Sequence, residues 1–248
     1  DIGSWIPTIF SNTRTLFEMG WSGVMIEPSP GPFLASLQTC VYCGHVPGLT
    51  TSALLPEVCG HCDCGLRYGD HPRLTLILGA IGTSLDASSH LTELHLTDDA
   101  LSTFHSDLAK PTSSEYSKRY YGTAWIPSIS LRQLFTQFGA NYDFVSIDTE
   151  GSSARILFQL LKLNTTARVI CVESTDMPEH KIIHAAEAFG YKVGLKTAAN
   201  LILVKKESLK IRRQQSQESI ESIESVEIET NLPTVLDQIL EPVTKGGI

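Results

Sequence analysis

The chain has no uninterrupted apolar run approaching the ~20 residues that a bilayer-spanning helix needs. No signal-peptide pattern is visible in these residues, which by itself excludes little. The chain is also short of positive charge, with 19 Lys and Arg against 27 Asp and Glu and a formal net charge of −8. Nucleic-acid binders carry a basic stripe on one face. The only basic run, Lys210-Ile211-Arg212-Arg213, falls in a tail and reads as a solvated segment. No Gly-x-Gly-x-x-Gly follows a strand, which counts against a dinucleotide-dependent dehydrogenase. Cysteine is nearly absent outside one stretch: five of the six lie between Cys40 and Cys64, and the sixth is Cys171. Clustering at short spacing points to metal binding rather than a disulfide framework. It therefore points to a reducing compartment such as the cytoplasm.

What is present suits a soluble globular protein. The 248 residues are 42% hydrophobic and 19% charged, enough for one large domain or two small ones. Residues 8–20 read as a helix stopped by Gly20. Gly23 to Glu27 is a short buried strand ending in an acid, broken by Pro28 and Pro30, and Phe33 to Gln38 is a brief helix. Leu74 to Ala80 is a strand, Leu91 to Leu96 another, and 98–122 a long polar loop. Ser130 to Phe138 opens with a cap residue and reads as a helix. Tyr142 to Asp148 and Ala167 to Glu173 repeat the pattern of a buried strand that stops at an acid, with helices over Ser152–Leu161 and Pro178–Phe189. Tyr191–Leu195 and Leu201–Val204 form a closing antiparallel pair. Alternating strands and helices imply a mostly parallel sheet covered on both faces. Its ligands belong beyond the carboxyl ends of the strands, where Glu27, Asp148 and Glu173 fall.

Three groups of residues carry chemistry. Asp1-Ile2-Gly3-Ser4, then Ser11-Asn12-Thr13, place a Gly turn near a helix start, and Glu27-Pro28 ends the next strand where a ribose-binding acid sits in dinucleotide folds. Asp148-Thr149-Glu150-Gly151 sets two carboxylates just past a strand, able to take a proton from a hydroxyl or to hold a divalent metal, with Glu173 on the neighbouring strand end. Cys40-Val41-Tyr42-Cys43 and Cys59-Gly60-His61-Cys62 are two CxxC knuckles at the spacing of a structural zinc site. Cys171 reads as core packing.

Asp1-Ile2-Gly3, Ser11-Asn12-Thr13, Gly20-Trp21 through Ile26-Glu27-Pro28, Phe144 to Gly151, Val172-Glu173, and Gly190-Tyr191-Lys192 with Asn200-Leu201-Ile202 resemble the FkbM-type methyltransferases in content and order. The resemblance covers roughly 1–39 and 73–205 and implies a Rossmann-like class I fold with a seven-stranded sheet. It implies S-adenosylmethionine as methyl donor, and O-methylation of a sugar or another small hydroxylated compound. On it, Asp1, Gly3, Ser11, Asn12, Glu27 and Pro28 hold the cofactor, and Asp148, Glu150 and Glu173 serve the acceptor. Family members begin with a strand leading into Asp-x-Gly, so the chain reads as a fragment that starts after that strand. It departs from the family at Ile6-Pro7, where an acid and a Gly are usual.

The resulting expectation is a methyltransferase domain over 1–205 carrying a zinc insert at about 40–70, then a low-complexity, acidic, Ser-rich tail over 206–248 that is flexible or bound to a protein partner. The competing reading is a methyltransferase-fold protein that has lost its cofactor at Ile6-Pro7 and works as a zinc-containing interaction module.

Overall fold

The computed structural model describes residues 1–6, 11–39, 67–82, 90–97, 102–104, 120–163 and 165–206. Cys40, Cys43, Cys59, Cys62 and the tail beyond 206 lie outside the described residues, and so does the departure at Pro7.

The main sheet is built from two ladders. β1 (Gly23–Glu27) pairs in parallel with β2 (Leu74–Leu78). β6 (Phe144–Ile147) pairs in parallel with β7 (Val169–Glu173), β7 antiparallel with β9 (Asn200–Lys205), and β9 antiparallel with β8 (Tyr191–Lys196). One residue joins the ladders: Ile2 bridges Ile26 on one side and Ile147 on the other, both in the parallel sense. Its amide donates to the Ser146 carbonyl at 2.9 Å and its carbonyl accepts from Asp148 N–H at 2.9 Å. The sheet order is therefore β2-β1-Ile2-β6-β7-β9-β8.

This corrects the expectation of one mostly parallel, seven-stranded sheet. Within the main sheet two strand pairs are parallel and two antiparallel. A single bridging residue stands where a seventh strand would run. A further sheet, β3-β5-β4, is separate. In it β5 (Tyr120–Ile129) lies between β3 (Ala80–Ile81) and β4 (His90–Thr97). Gly79 makes the division. Its amide still donates to the Glu27 carbonyl at 3.1 Å, while an added Cβ would stand 3.1 Å from the Pro127 carbonyl oxygen of β5. Glycine suits so close an approach, which a side chain would crowd, and the run read as one strand becomes two strands in different sheets.

Helices follow the apolar spacing. α1 (Arg14–Glu18) ends at Gly20, whose φ of +99° makes it the stop its position predicts. α2 (Pro30–Gln38) opens on proline, as first turns tolerate. α3 (Leu131–Phe138) starts with a capping box between Ser130 and Gln133. α4 (Ser153–Lys162) is buried from Ser153 through Leu161 except at Arg155. α5 (Glu179–Ala188) buries Ile182, Ala185 and Ala186. The core joins Ile156, Leu157, Phe158 and Leu160 of α4 to Ile170, Val172, Leu201 and Leu203 of the sheet. Tyr191 is also buried there, and its hydroxyl is satisfied by the Ala167 carbonyl at 2.7 Å. Cys171 is buried and unpaired, as a packing residue would be.

Candidate functional site

The carboxyl ends of β1, β6 and β7, with the turn after Ile2, form one edge. Glu27 is the last residue of β1 and is only 4% exposed. Its two oxygens accept backbone N–H bonds, from Trp5 at 2.7 Å and from Ser29 at 2.7 Å. Burial nonetheless raises its pKa, against the pull of those two bonds. Trp5 reaches this place through a left-handed backbone, φ +48°, and its carbonyl accepts a bond from the Ser36 hydroxyl of α2 at 3.0 Å. The acid at the strand end is thus built into the loop that follows Gly3. Gly3 itself is essential to the turn: φ is +76°, and a Cβ there would lie 1.7 Å from the Asp148 carbonyl oxygen.

Asp148 and Glu173 follow on adjacent strands. Burial, and then the neighbouring charge of Glu173, push the Asp148 carboxyl up to about 6. Glu173 is buried, and accepts from the Ser153 hydroxyl at 3.1 Å and from the Thr175 hydroxyl. The Asp148–Gly151 turn is formed by two consecutive left-handed residues, Glu150 at φ +43° and Gly151 at φ +98°. Thr149 N–H donates to Ser153 Oγ at 2.9 Å, and Thr103 Oγ1 donates to the Glu150 carbonyl at 2.7 Å. Carboxylate oxygens of Asp148, Glu150 and Glu173 all lie within 4.8 Å of one another. Such a group can ligate one divalent cation or share a proton, and a carboxyl near pH 6 is matched to taking a proton from a hydroxyl.

The expected cofactor residues divide. Gly3 and Pro28 line a hollow at this edge together with Gly79, Thr149 and Phe104. Asp1 and Ser11 instead line a larger cavity of about 450 Å³, bounded by Gly23, Leu74, Phe144 and Phe138, at the amino ends of the strands. Asp1 accepts from the Thr13 hydroxyl at 2.6 Å. Ser11 Oγ accepts from Thr13 N–H at 3.3 Å and Arg14 N–H at 3.1 Å, and Asn12 donates to Ser146 Oγ at 3.2 Å. These three polar groups close the start of α1 and brace β6.

Several participants went unread in the sequence. Ser153 and Thr175 hold Glu173, and Asp176 accepts from the Ala154 N–H of α4 at 3.1 Å. Their signal is the Ser-Ser after Gly151 and the Ser-Thr-Asp after Glu173, polar runs placed directly behind strand-end acids. Thr103 and Phe104 had no such signal.

The donor set suits S-adenosylmethionine: a strand-end acid, a glycine turn that approaches the next strand, and carboxylates across the edge. The volume does not, because the hollow beside Gly3 and Pro28 holds about 10 Å³, the space of roughly one water. No curated protein matches the chain, and no solved structure does. The family model for the methyltransferase FkbM domain matches residues 1–193, which span every acid of this edge, and the chain belongs to the FkbM methyltransferase family.

Proposed function

We propose that the chain is an S-adenosylmethionine-dependent O-methyltransferase acting on a sugar or another small hydroxylated acceptor. The observation that carries this is Asp148, a partly buried carboxyl near pH 6 beside Glu173 on the ligand-binding edge of the sheet. The cofactor, when bound, supplies a methyl group on a positively charged sulfur. Everything else falls to the chain's own residues. Gly3 lets the turn close on the Asp148 backbone, and Glu27 would accept hydrogen bonds from ribose hydroxyls with the lone pairs that the Trp5 and Ser29 amides leave. Ionised Asp148 takes the proton of the acceptor hydroxyl, and Glu150 orients that hydroxyl from the same turn. Glu173 is fixed by Ser153 and Thr175 and keeps Asp148 basic. Positioning and exclusion of water account for the rest of the rate.

Calorimetric titration of the 248-residue chain with S-adenosylhomocysteine tests the cofactor, with binding expected for the parent and lost in Glu27→Ala. No heat from either chain would remove this reading. In the cytoplasmic setting proposed here, Cys40, Cys43, Cys59 and Cys62 hold one structural zinc. Metal analysis of purified protein should give one zinc per chain, falling to none in Cys40→Ser/Cys43→Ser.

A second reading has its own observation. Glu27 is already bonded to two backbone amides, and the hollow beside it is one water in size. On that reading the fold persists without cofactor, and the insert and tail recruit a protein partner. Partner capture that survives Glu27→Ala and Asp148→Asn would favour it.

A further inference from the structure

The hollow at the carboxyl edge has an unusual wall. Gly3, Pro28, Gly79 and Thr149 reach it from the ends of strands, as ligand-binding positions do in open α/β sheets. Phe104 reaches it from elsewhere in the chain, next to the bridge between Thr103 and His95. The chain there is pinned on both sides. Towards β4, Thr103 and His95 exchange backbone bonds, at 3.1 Å and 2.9 Å, and Ser102 Oγ accepts from Thr97 N–H at 3.2 Å. Towards the acids, the Thr103 hydroxyl donates to the Glu150 carbonyl at 2.7 Å. Thr103 is 1% exposed, so that bond is sheltered from water. It also lands on a residue already held at φ +43°, a conformation that costs energy unless its surroundings enforce it.

Small-molecule sites typically enclose ~300 Å³ or more. Of the residues assigned to the cofactor, Gly3 and Pro28 line the hollow beside Phe104, and about 10 Å³ is left open among them. We propose that Phe104 occupies space the cofactor takes, and that the Thr103–Glu150 hydrogen bond is the latch that keeps it there. The inference rests on the methyltransferase reading of this edge and adds its regulation. Cofactor and Phe104 compete for one volume, so apparent affinity is reduced by the fraction of chains with Phe104 seated. Glu150 connects the two, because its carbonyl receives the latch while its carboxylate faces Asp148 and Glu173. Withdrawal of Phe104 thus frees the turn that serves the acceptor.

The experiment is calorimetry with S-adenosylhomocysteine on the whole chain, paired with ligand-free hydrogen exchange at the His95 and Thr103 amides. Phe104→Ala should bind about tenfold more tightly than the parent, and Thr103→Val about fivefold, the value of one ordinary hydrogen bond. Thr103→Ser keeps the hydroxyl and should match the parent. Exchange at Thr103 should quicken in Thr103→Val and not in Thr103→Ser. Unchanged or weaker binding in Phe104→Ala would overturn the proposal, since Phe104 would then be a bystander or a contact for the ligand. Unchanged exchange in Thr103→Val would overturn the latch. Absence of binding in all four chains would overturn the cofactor reading itself. That failure is recognisable because the exchange result stands apart from it.

Discussion

Asp148 is raised from 3.8 to about 6 because its charged form is both partly desolvated and next to Glu173. Between those two pH values the folded chain holds a proton that the unfolded chain has lost. Stability therefore falls as pH rises from about 4 to about 6, and stays lower above it. Replacing Asp148 by Asn removes the charge and keeps the shape. Asp148→Asn should be more stable than the parent by about 1–2 kcal/mol at pH 7.5 and indistinguishable below pH 4. Urea melts at the two pH values measure this. Methyl transfer should show the opposite trend, rising about tenfold per pH unit up to about 6, then levelling, and vanishing in the variant. A parent and variant equally stable at pH 7.5 would mean that Asp148 ionises without penalty. Gly3 is the other decisive residue. Gly3→Ala places a methyl group 1.7 Å from the Asp148 carbonyl oxygen in a left-handed turn. The backbone must move, at a cost of ~3 kcal/mol or more. Thermal melting should show a large loss, and S-adenosylhomocysteine binding should fail even below the melting temperature.

Among the elements, α3 offers the cleanest test of local coding. Ser130 Oγ accepts from Gln133 N–H at 3.1 Å and Gln133 returns the bond to Ser130 N–H at 3.0 Å. Ser130→Ala should cost about 1 kcal/mol, while Ser130→Asp should cost little, because an acid serves the same amides. Equal losses in both variants would show that burial at 130, not capping, matters. This cap was legible in the sequence because its partners are three residues apart. So were the strand-end acids Glu27, Asp148 and Glu173, which close short apolar runs. β5 was not legible. Its Thr123-Ala124-Trp125-Ile126-Pro127-Ser128 does alternate exposed and more buried positions, but Pro127 is the eighth of the ten residues of a central strand, where a missing amide argues against pairing. The register resolves the conflict, with Pro127 opposite Leu91 near the start of β4. The split of β2 from β3 was hidden for a related reason. Gly79 looks like a weak point in a strand, and only the approach of the Pro127 carbonyl, 48 residues on, makes it a change of sheet. Thr103 and Phe104 are the same case at the site, since their role depends on a partner at Glu150 that no local spacing encodes.

At the scale of the molecule, the two ladders differ in how they are held. The β6-β7-β9-β8 ladder is continuous, and β7 and β9 pack against α4 through the main core. The β1-β2 ladder joins it through the backbone bonds of the Asp1–Ser4 segment and through Val24, Ile26 and Ile77, which reach the main core, and it borders the cavity of about 450 Å³ at the amino ends of the strands. Phe17, Met25 and Tyr68 form a separate small cluster beneath it, with Leu74 and Leu76 packed against them. Cohesion across the junction therefore comes from those backbone bonds and from the packing of Val24, Ile26 and Ile77, while the open cavity leaves the amino-end side of the ladder with fewer packing partners. Units joined in this way open independently, at a lower free energy than global unfolding. Native-state hydrogen exchange should then place Met25 and Ile26 of β1 and Leu76 of β2 in a group that exchanges at least tenfold faster than Ile170, Val172 and Leu203. The first group should show a small denaturant dependence and the second the full one. Ile2→Gly loosens the junction residue without touching either ladder's own pairing, so it should speed the first group far more than the second. A single protection level for both groups, moving together in Ile2→Gly, would show that the bridge at Ile2 transmits the whole stability of the fold. In that case the Gly3 turn would be supported as firmly on the β1 side as on the β6 side. The predicted difference instead leaves the cofactor edge seated on one rigid wall, carrying Asp148 and Glu173, and one yielding wall, carrying Glu27. Opening of the hollow would then proceed by movement of the second wall together with Phe104.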